Sequence, residues 1–331
     1  MTTNVAAGAT TCVAGRWVTD CRSVFRTGSV SNYCSSRAHT VCMTFGELVL
    51  SDDVELAGWI RPRLGGRFGA VTRTLPGGYP AYARVCHPAT DSDGTPVSWP
   101  EVAALTGRHA HPLMQWHALI GSVYPVNATS ALWPGENPER GHLVPEVLGA
   151  LTRVLAQHTT TPTRCVFCLW EGYGWLHADT LAMNPLWSAP AWPNPGNHAA
   201  APTSGNLPAP SGAQQRGPVS TSGSKHPYLD RDGPRVRLPG RDYMLVTGPL
   251  DAAISLGWWP DPTWFQAQSP NLFWPADRTW CVATEIDFDS TLVAGTRTLI
   301  DALLNEPTLD AWPIDPDDSL ASDADHINPV P

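Results

Sequence analysis

The period of the apolar positions changes several times along the chain, and each change marks a predicted element. Val144, Val147, Leu148, Leu151, Val154 and Leu155 recur at helical spacing, with Pro145 near the first turn and Thr159 to Thr161 past the end. Ser98-Trp99-Pro100-Glu101 has the form of a capping box and opens a helix that should run to Gly107. Thr296 caps another through Leu299, Ile300, Leu303 and Leu304, which Pro307 stops. An apolar-periodic run from Val54 to Ile60 follows Ser51-Asp52-Asp53 and predicts a helix ending near Arg61-Pro62. A short helix is expected over 249–256.

Strand-like runs fall at 70–74, 82–87, 164–170, 243–247 and 280–287. Pro76-Gly77-Gly78 is the turn signal between the first two. The last alternates most cleanly. Val282, Thr284, Ile286 and Phe288 point one way, and Cys281, Ala283, Glu285, Asp287 and Asp289 point the other.

Between about 184 and 239 the pattern collapses into Pro, Ser, Gly, Ala and Asn, the composition of a long surface loop. Each flank supplies only two or three strands, too few for an independent sheet. The economical reading is an α+β fold in a single domain over 43–314: a mixed, mostly antiparallel sheet with packed helices and residues 184–239 as a low-complexity insert. Residues 315–331 read as an acidic, solvated tail. Residues 1–42 lack sustained periodicity, which fits a disordered extension or a mis-set start with Met43 as the true one.

Composition narrows the function classes. The chain has 331 residues and a net charge of −9, and its arginines are scattered, so nucleic acid is a poor partner. Arg231, Arg235, Arg237 and Arg241 are interleaved with Asp230, Asp232 and Asp242, which cancels much of their field. No apolar stretch approaches the length of a membrane span, and no secretory signal opens the chain, so a cytoplasmic location is expected. Lys225 is the only lysine and sits in a Ser/Gly/Pro-rich stretch, which argues against Schiff-base chemistry. The eight cysteines then read as reduced thiols.

The candidate chemistry centres on Glu285, Asp287 and Asp289. Period-two spacing would put three carboxylates on one strand face, where Mg²⁺ or Mn²⁺ could find oxygen ligands. Arg84, His87 and Arg278 are the candidate partners. The plainer reading is no cofactor, with the carboxylates solvated or paired with arginines. His109, His111 and His117 have spacing that could share a zinc ion, although ordinary hydrogen bonding explains them as well. Cys165 and Cys168, three apart on a strand, should face opposite sides and pack as separate thiols. The fifteen tryptophans could line a groove or close the core. No phosphate loop, dinucleotide fingerprint, nucleophile elbow or zinc-protease helix is present.

Three stretches, 82–89 (YARVCHPA), 168–174 (CLWEGYG) and 274–296 (WPADRTWCVATEIDFDSTLVAGT), resemble in this order a family of uncharacterised proteins from high-GC bacteria. The likeness would span roughly 43–328. It implies no activity, cofactor or residue role. Two readings follow: a non-catalytic binding protein with a protein partner or small ligand, and a divalent-metal-dependent enzyme using the Glu-x-Asp-x-Asp face.

Overall fold

The computed structural model describes residues 32–33, 42–44, 47–67, 69–124, 132–176, 234–261 and 264–328. Most of the proposed insert, and all of 1–31, lie outside the described residues.

Among the described residues nine strands form one sheet: β1 (Val49–Ser51), β2 (Ala81–Cys86), β3 (Cys165–Trp170), β4 (Val236–Leu238), β5 (Arg241–Gly248), β6 (Leu272–Pro275), β7 (Cys281–Ala283), β8 (Ser290–Gly295) and β9 (Ala311–Ile314). Their order is β9-β2-β8-β7-β6-β3-β5-β1, with β4 sharing the outer edge of β5. Every ladder among the described residues is antiparallel. The sheet therefore combines strands from both sides of the insert, as a single α+β domain requires. A separate small sheet pairs the backbones of Asn32–Tyr33 and Cys42–Thr44 with Gly257–Asp261 and Trp264–Ala267.

Both faces of the large sheet are buried, so its central strands read as nearly unbroken apolar runs. On one face Ala83, Val85, Phe167, Leu169, Met244, Val246, Phe273 and Val282 pack under two helices. These are α2 (Pro145–Ala156) and α3 (Arg297–Leu304). Leu151, Leu155, Leu299 and Leu303 are fully buried there, each worth about 1.5–3 kcal/mol. The other face carries Tyr82, Val166, Cys168, Leu245, Leu272, Trp274 and Cys281 beneath Ile60, Val71, Leu75 and Leu320. Cys165 and Cys168 fall on opposite faces, as strand geometry demands. A third cluster, Trp99, Val102, Met114, Trp116 and Trp133, sits beyond the Cys86 end of β2 and includes helix α1 (Trp99–Thr106).

The helices with strong local signals form as expected. Glu101 accepts from the Ser98 amide at 2.9 Å, and Gly107 closes α1 in a left-handed conformation. Thr296 accepts from the Leu299 amide at the head of α3. Other expectations need correction. Residues 54–60 form a 3₁₀ turn at Val54–Ala57, followed by another at Arg61–Arg63, without a side-chain cap. The expected strand at 70–74 is one helical turn, Val71–Thr74, because Val71 and Leu75 are both fully buried at i, i+4 spacing. Residues 250–255 are 3₁₀. The low-complexity reading extended too far, since Val236–Leu238 is a strand that hairpins onto β5.

The tail is docked against the domain. The Val71 and Thr72 amides donate to the carbonyls of Asp318 and Pro316, and the Leu320 amide donates to Gly69. Asn328 is 2% exposed and exchanges two bonds with the His109 backbone, at 2.8 and 2.9 Å. Side-chain acids, by themselves, suggested solvation, but the apolar Leu320 and the backbone carbonyls decide otherwise. Asn328→Ala should lower stability by about 1–2 kcal/mol, read as a shift in the urea midpoint, because both His109 backbone groups lose their partner.

Candidate functional site

The expected strand over 280–287 stops at Ala283. The Thr284 amide donates to Asn271 at 2.7 Å and the Phe288 amide to Glu285 at 3.0 Å, so 284–289 is a connecting turn and not a ladder. Glu285, Asp287 and Asp289 consequently share no strand face. Arg241, at the start of β5, takes two of them. Its Nη2 donates to Glu285 at 2.9 Å and to Asp287 at 2.7 Å, while Nε donates to Glu285 at 3.1 Å. The guanidinium lies 5.6 Å from the Trp170 ring. Asp287 is 70% exposed, so its half of the pairing contributes little stability.

Asp289 turns instead to Arg84, at 3.5 Å. Arg84 is only 1% exposed. Its Nε donates to Ser290 Oγ at 3.0 Å, its Nη1 donates to the carbonyls of Met114 at 2.7 Å and Pro112 at 3.3 Å, and its guanidinium stacks over Trp99 at 5.0 Å. A cation so buried must be met by oxygen on several sides, and here it is.

His87 joins this network through its backbone, its amide donating to the Asp289 carbonyl at 2.9 Å. Its Nδ1 lies 2.6 Å from the Glu139 carbonyl and its Nε2 lies 2.9 Å from Thr291 Oγ1. Burial holds this imidazole neutral, with its pKa lowered to about 3. A neutral ring facing a carbonyl donates through Nδ1, so Nε2 accepts from Thr291, which in turn accepts from Thr284 at 2.8 Å. His142 is likewise buried, with its pKa lowered to about 4, and its Nδ1 accepts from the Ser269 amide at 3.0 Å.

Beside them lies a group that no sequence motif announced. The Tyr173 hydroxyl accepts from Asn271 at 2.8 Å and Gln268 at 3.0 Å, and burial raises its pKa. Asn271 also accepts from the Trp170 amide at 2.8 Å. The one available signal was the polar run Gln268-Ser269-Pro270-Asn271 set between apolar segments. Gly141 closes the assembly: its amide donates to the Phe288 carbonyl at 2.8 Å, and a Cβ there would lie 2.6 Å from Ile286 Cα. Burial raises the Glu139 carboxyl to about 7, although the residue as a whole is exposed at the surface.

The structure thus gathers Arg84, His87 and Asp289 into one network and Glu285 with Asp287 into another around Arg241. Arg278 joins neither. It lies between β6 and β7, at the end of β7 opposite the 284–289 turn, with its guanidinium 5.3 Å over Trp59. The histidines at 109, 111 and 117 also diverge. His111 bonds Asp325 at 2.9 Å, the His109 backbone pairs with Asn328, and His117 packs edge-on against Tyr124. No group of three or more His, Cys, Asp or Glu side chains arranged to hold a metal ion occurs among the described residues. A crevice lined by His142, Leu148, Ile254 and Gln268 has no interior room for a water molecule. As placed, these polar groups fix loops: His87 and His142 are shielded from solvent and already bonded.

The buried histidines set a pH dependence. Their unfolded pKa is about 6.5, and both are lowered in the fold, so their stabilisation is complete above that value and is lost as pH falls through it. The raised Glu139 has the opposite sign, adding stability as pH falls from about 7 towards its unfolded value. Its exposure discounts that gain. Urea midpoints should therefore decline below about pH 6.5, and His142→Phe should make the decline shallower.

No protein-family model, no curated protein and no solved structure matches the chain.

Proposed function

We propose that the chain is a non-catalytic binding protein, acting in the cytoplasm on a protein partner or small ligand. The observation that carries this reading is the engagement of its three candidate carboxylates: Glu285 and Asp287 on Arg241, and Asp289 on the buried Arg84. A cation would have to displace a guanidinium that already supplies the positive charge. The described cysteines Cys86, Cys165, Cys168 and Cys281 are free and buried, which suits a reducing compartment. No described helix is long and apolar enough to cross a membrane. The net charge of −9 continues to disfavour nucleic acid.

The test is metal content and melting temperature of the purified chain, with and without chelator and added Mg²⁺ or Mn²⁺. The expected result is no stoichiometric metal and no rise in melting temperature, with Asp287→Ala changing stability by less than about 0.5 kcal/mol. A metal retained at one per chain, lost in Asp287→Ala, would replace this reading with a metal-dependent enzyme centred on Glu285, Asp287 and Asp289.

A further inference from the structure

We propose that the face carrying Trp59, Arg63, Tyr79 and Arg278 docks an acidic segment of a protein partner. The inference rests on the binding reading above and names the surface and the chemistry of what it binds.

Two guanidinium groups converge on one indole: Arg63 lies 5.4 Å and Arg278 5.3 Å from the Trp59 ring centroid. Their backbones are tied to the same turn. The Gly77 amide donates to the Arg63 carbonyl at 2.9 Å, and the Tyr79 hydroxyl donates to the Arg278 carbonyl at 3.1 Å. Arg278 is the only described non-glycine residue with positive φ, at 55°, a conformation held by its surroundings. The two like charges are thus placed side by side by the fold, with both side chains at the surface.

Among the described residues no carboxylate lies within ion-pair distance of Arg63 or Arg278. Asp277, next in sequence, is fully engaged by Thr159, Thr160 and Thr279 at 2.8–2.9 Å. From Leu56 to Thr90 the chain holds five arginines and no acid. Arg84 is the buried one, and Arg61 lies beside Arg63 in the same 3₁₀ turn, exposed like it. Of these exposed arginines, Arg63 is the one that joins Arg278 over the Trp59 ring. Among the described residues the buried Trp59 indole N–H has no hydrogen-bond partner.

The form of the face selects the occupant. It is a surface of Trp, Tyr and Arg, the residue types that dominate binding hot spots, and the arginines are already ordered by stacking. A patch confined in this way suits a short run of Asp or Glu. A long polyanion would extend over a chain whose net charge is −9.

The experiment measures fluorescence anisotropy of a labelled octaglutamate peptide with the full chain at low ionic strength. Binding should weaken roughly tenfold or more in Arg63→Glu and in Arg278→Gly, and fall with added salt. Arg278→Gly removes the guanidinium while suiting the left-handed backbone, so loss of folding is not at issue. Arg297→Glu, an exposed arginine at the head of α3, should stay within about twofold of the parent chain. Absence of peptide binding, equal loss in Arg297→Glu, or equally tight binding of an oligothymidylate of the same length would overturn the proposal. Peptide failure in a chain that takes up no metal removes this face alone. Stoichiometric metal with peptide binding intact removes the non-catalytic reading and leaves the face standing.

Discussion

A guanidinium in the middle of a buried strand is tolerable only if oxygens surround it, and the layout around β2 follows from that requirement. Arg84 draws in the Met114 and Pro112 carbonyls from the third apolar cluster, Ser290 from β8 and Asp289 from the turn before it. Trp99, at the head of α1, lies against the same group and donates its indole N–H to the His87 carbonyl at 2.8 Å. Replacing such a centre by an apolar core could be neutral in energy, but removing one member leaves the others buried and unpaired. Arg84 therefore fixes where the third cluster sits against the sheet and which way the 284–289 turn leaves it.

The candidate carboxylates inherit their positions from that turn. Once β7 ends at Ala283, Asp289 falls beside Arg84 while Glu285 and Asp287 face the start of β5, where Arg241 meets them. The same chain segment thus feeds two arginines on different elements. All three carboxylates lie within ion-pair distance of an arginine. Arg63 and Arg278, which meet no carboxylate among the described residues, lie over Trp59, with Arg278 at the other end of β7.

What was legible in the sequence was what local chemistry decides. The Ser98–Glu101 box, the Thr296 cap and the apolar stripe of α2 each carry their signal within one or two turns of chain, and each helix forms where it was expected. The two-faced strand β3 was equally plain, including the divergence of Cys165 from Cys168. Residues 71–74 were misleading because a short Val-Thr-Arg-Thr run has strand propensity, while the burial of Val71 and Leu75 is a tertiary fact. The alternation over 280–287 was real to Ala283. Beyond it, the Asn271 carbonyl, 13 residues upstream, captured the Thr284 amide and turned the chain. Of the site candidates, Arg84, His87 and Asp289 do meet; Arg278 does not, because which end of a strand a turn occupies depends on pairing. Tyr173, Asn271 and Gln268 carried no motif, since their roles exist only once two segments far apart in sequence are brought together.

The most direct measurement of Arg84's organising role is hydrogen exchange of Arg84→Met against the parent chain. Faster exchange is expected in 112–120 and 287–291, with α2 and α3, on the far face of the sheet, keeping their protection. An unchanged profile in those two segments, or an even loss across the whole domain, would contradict it.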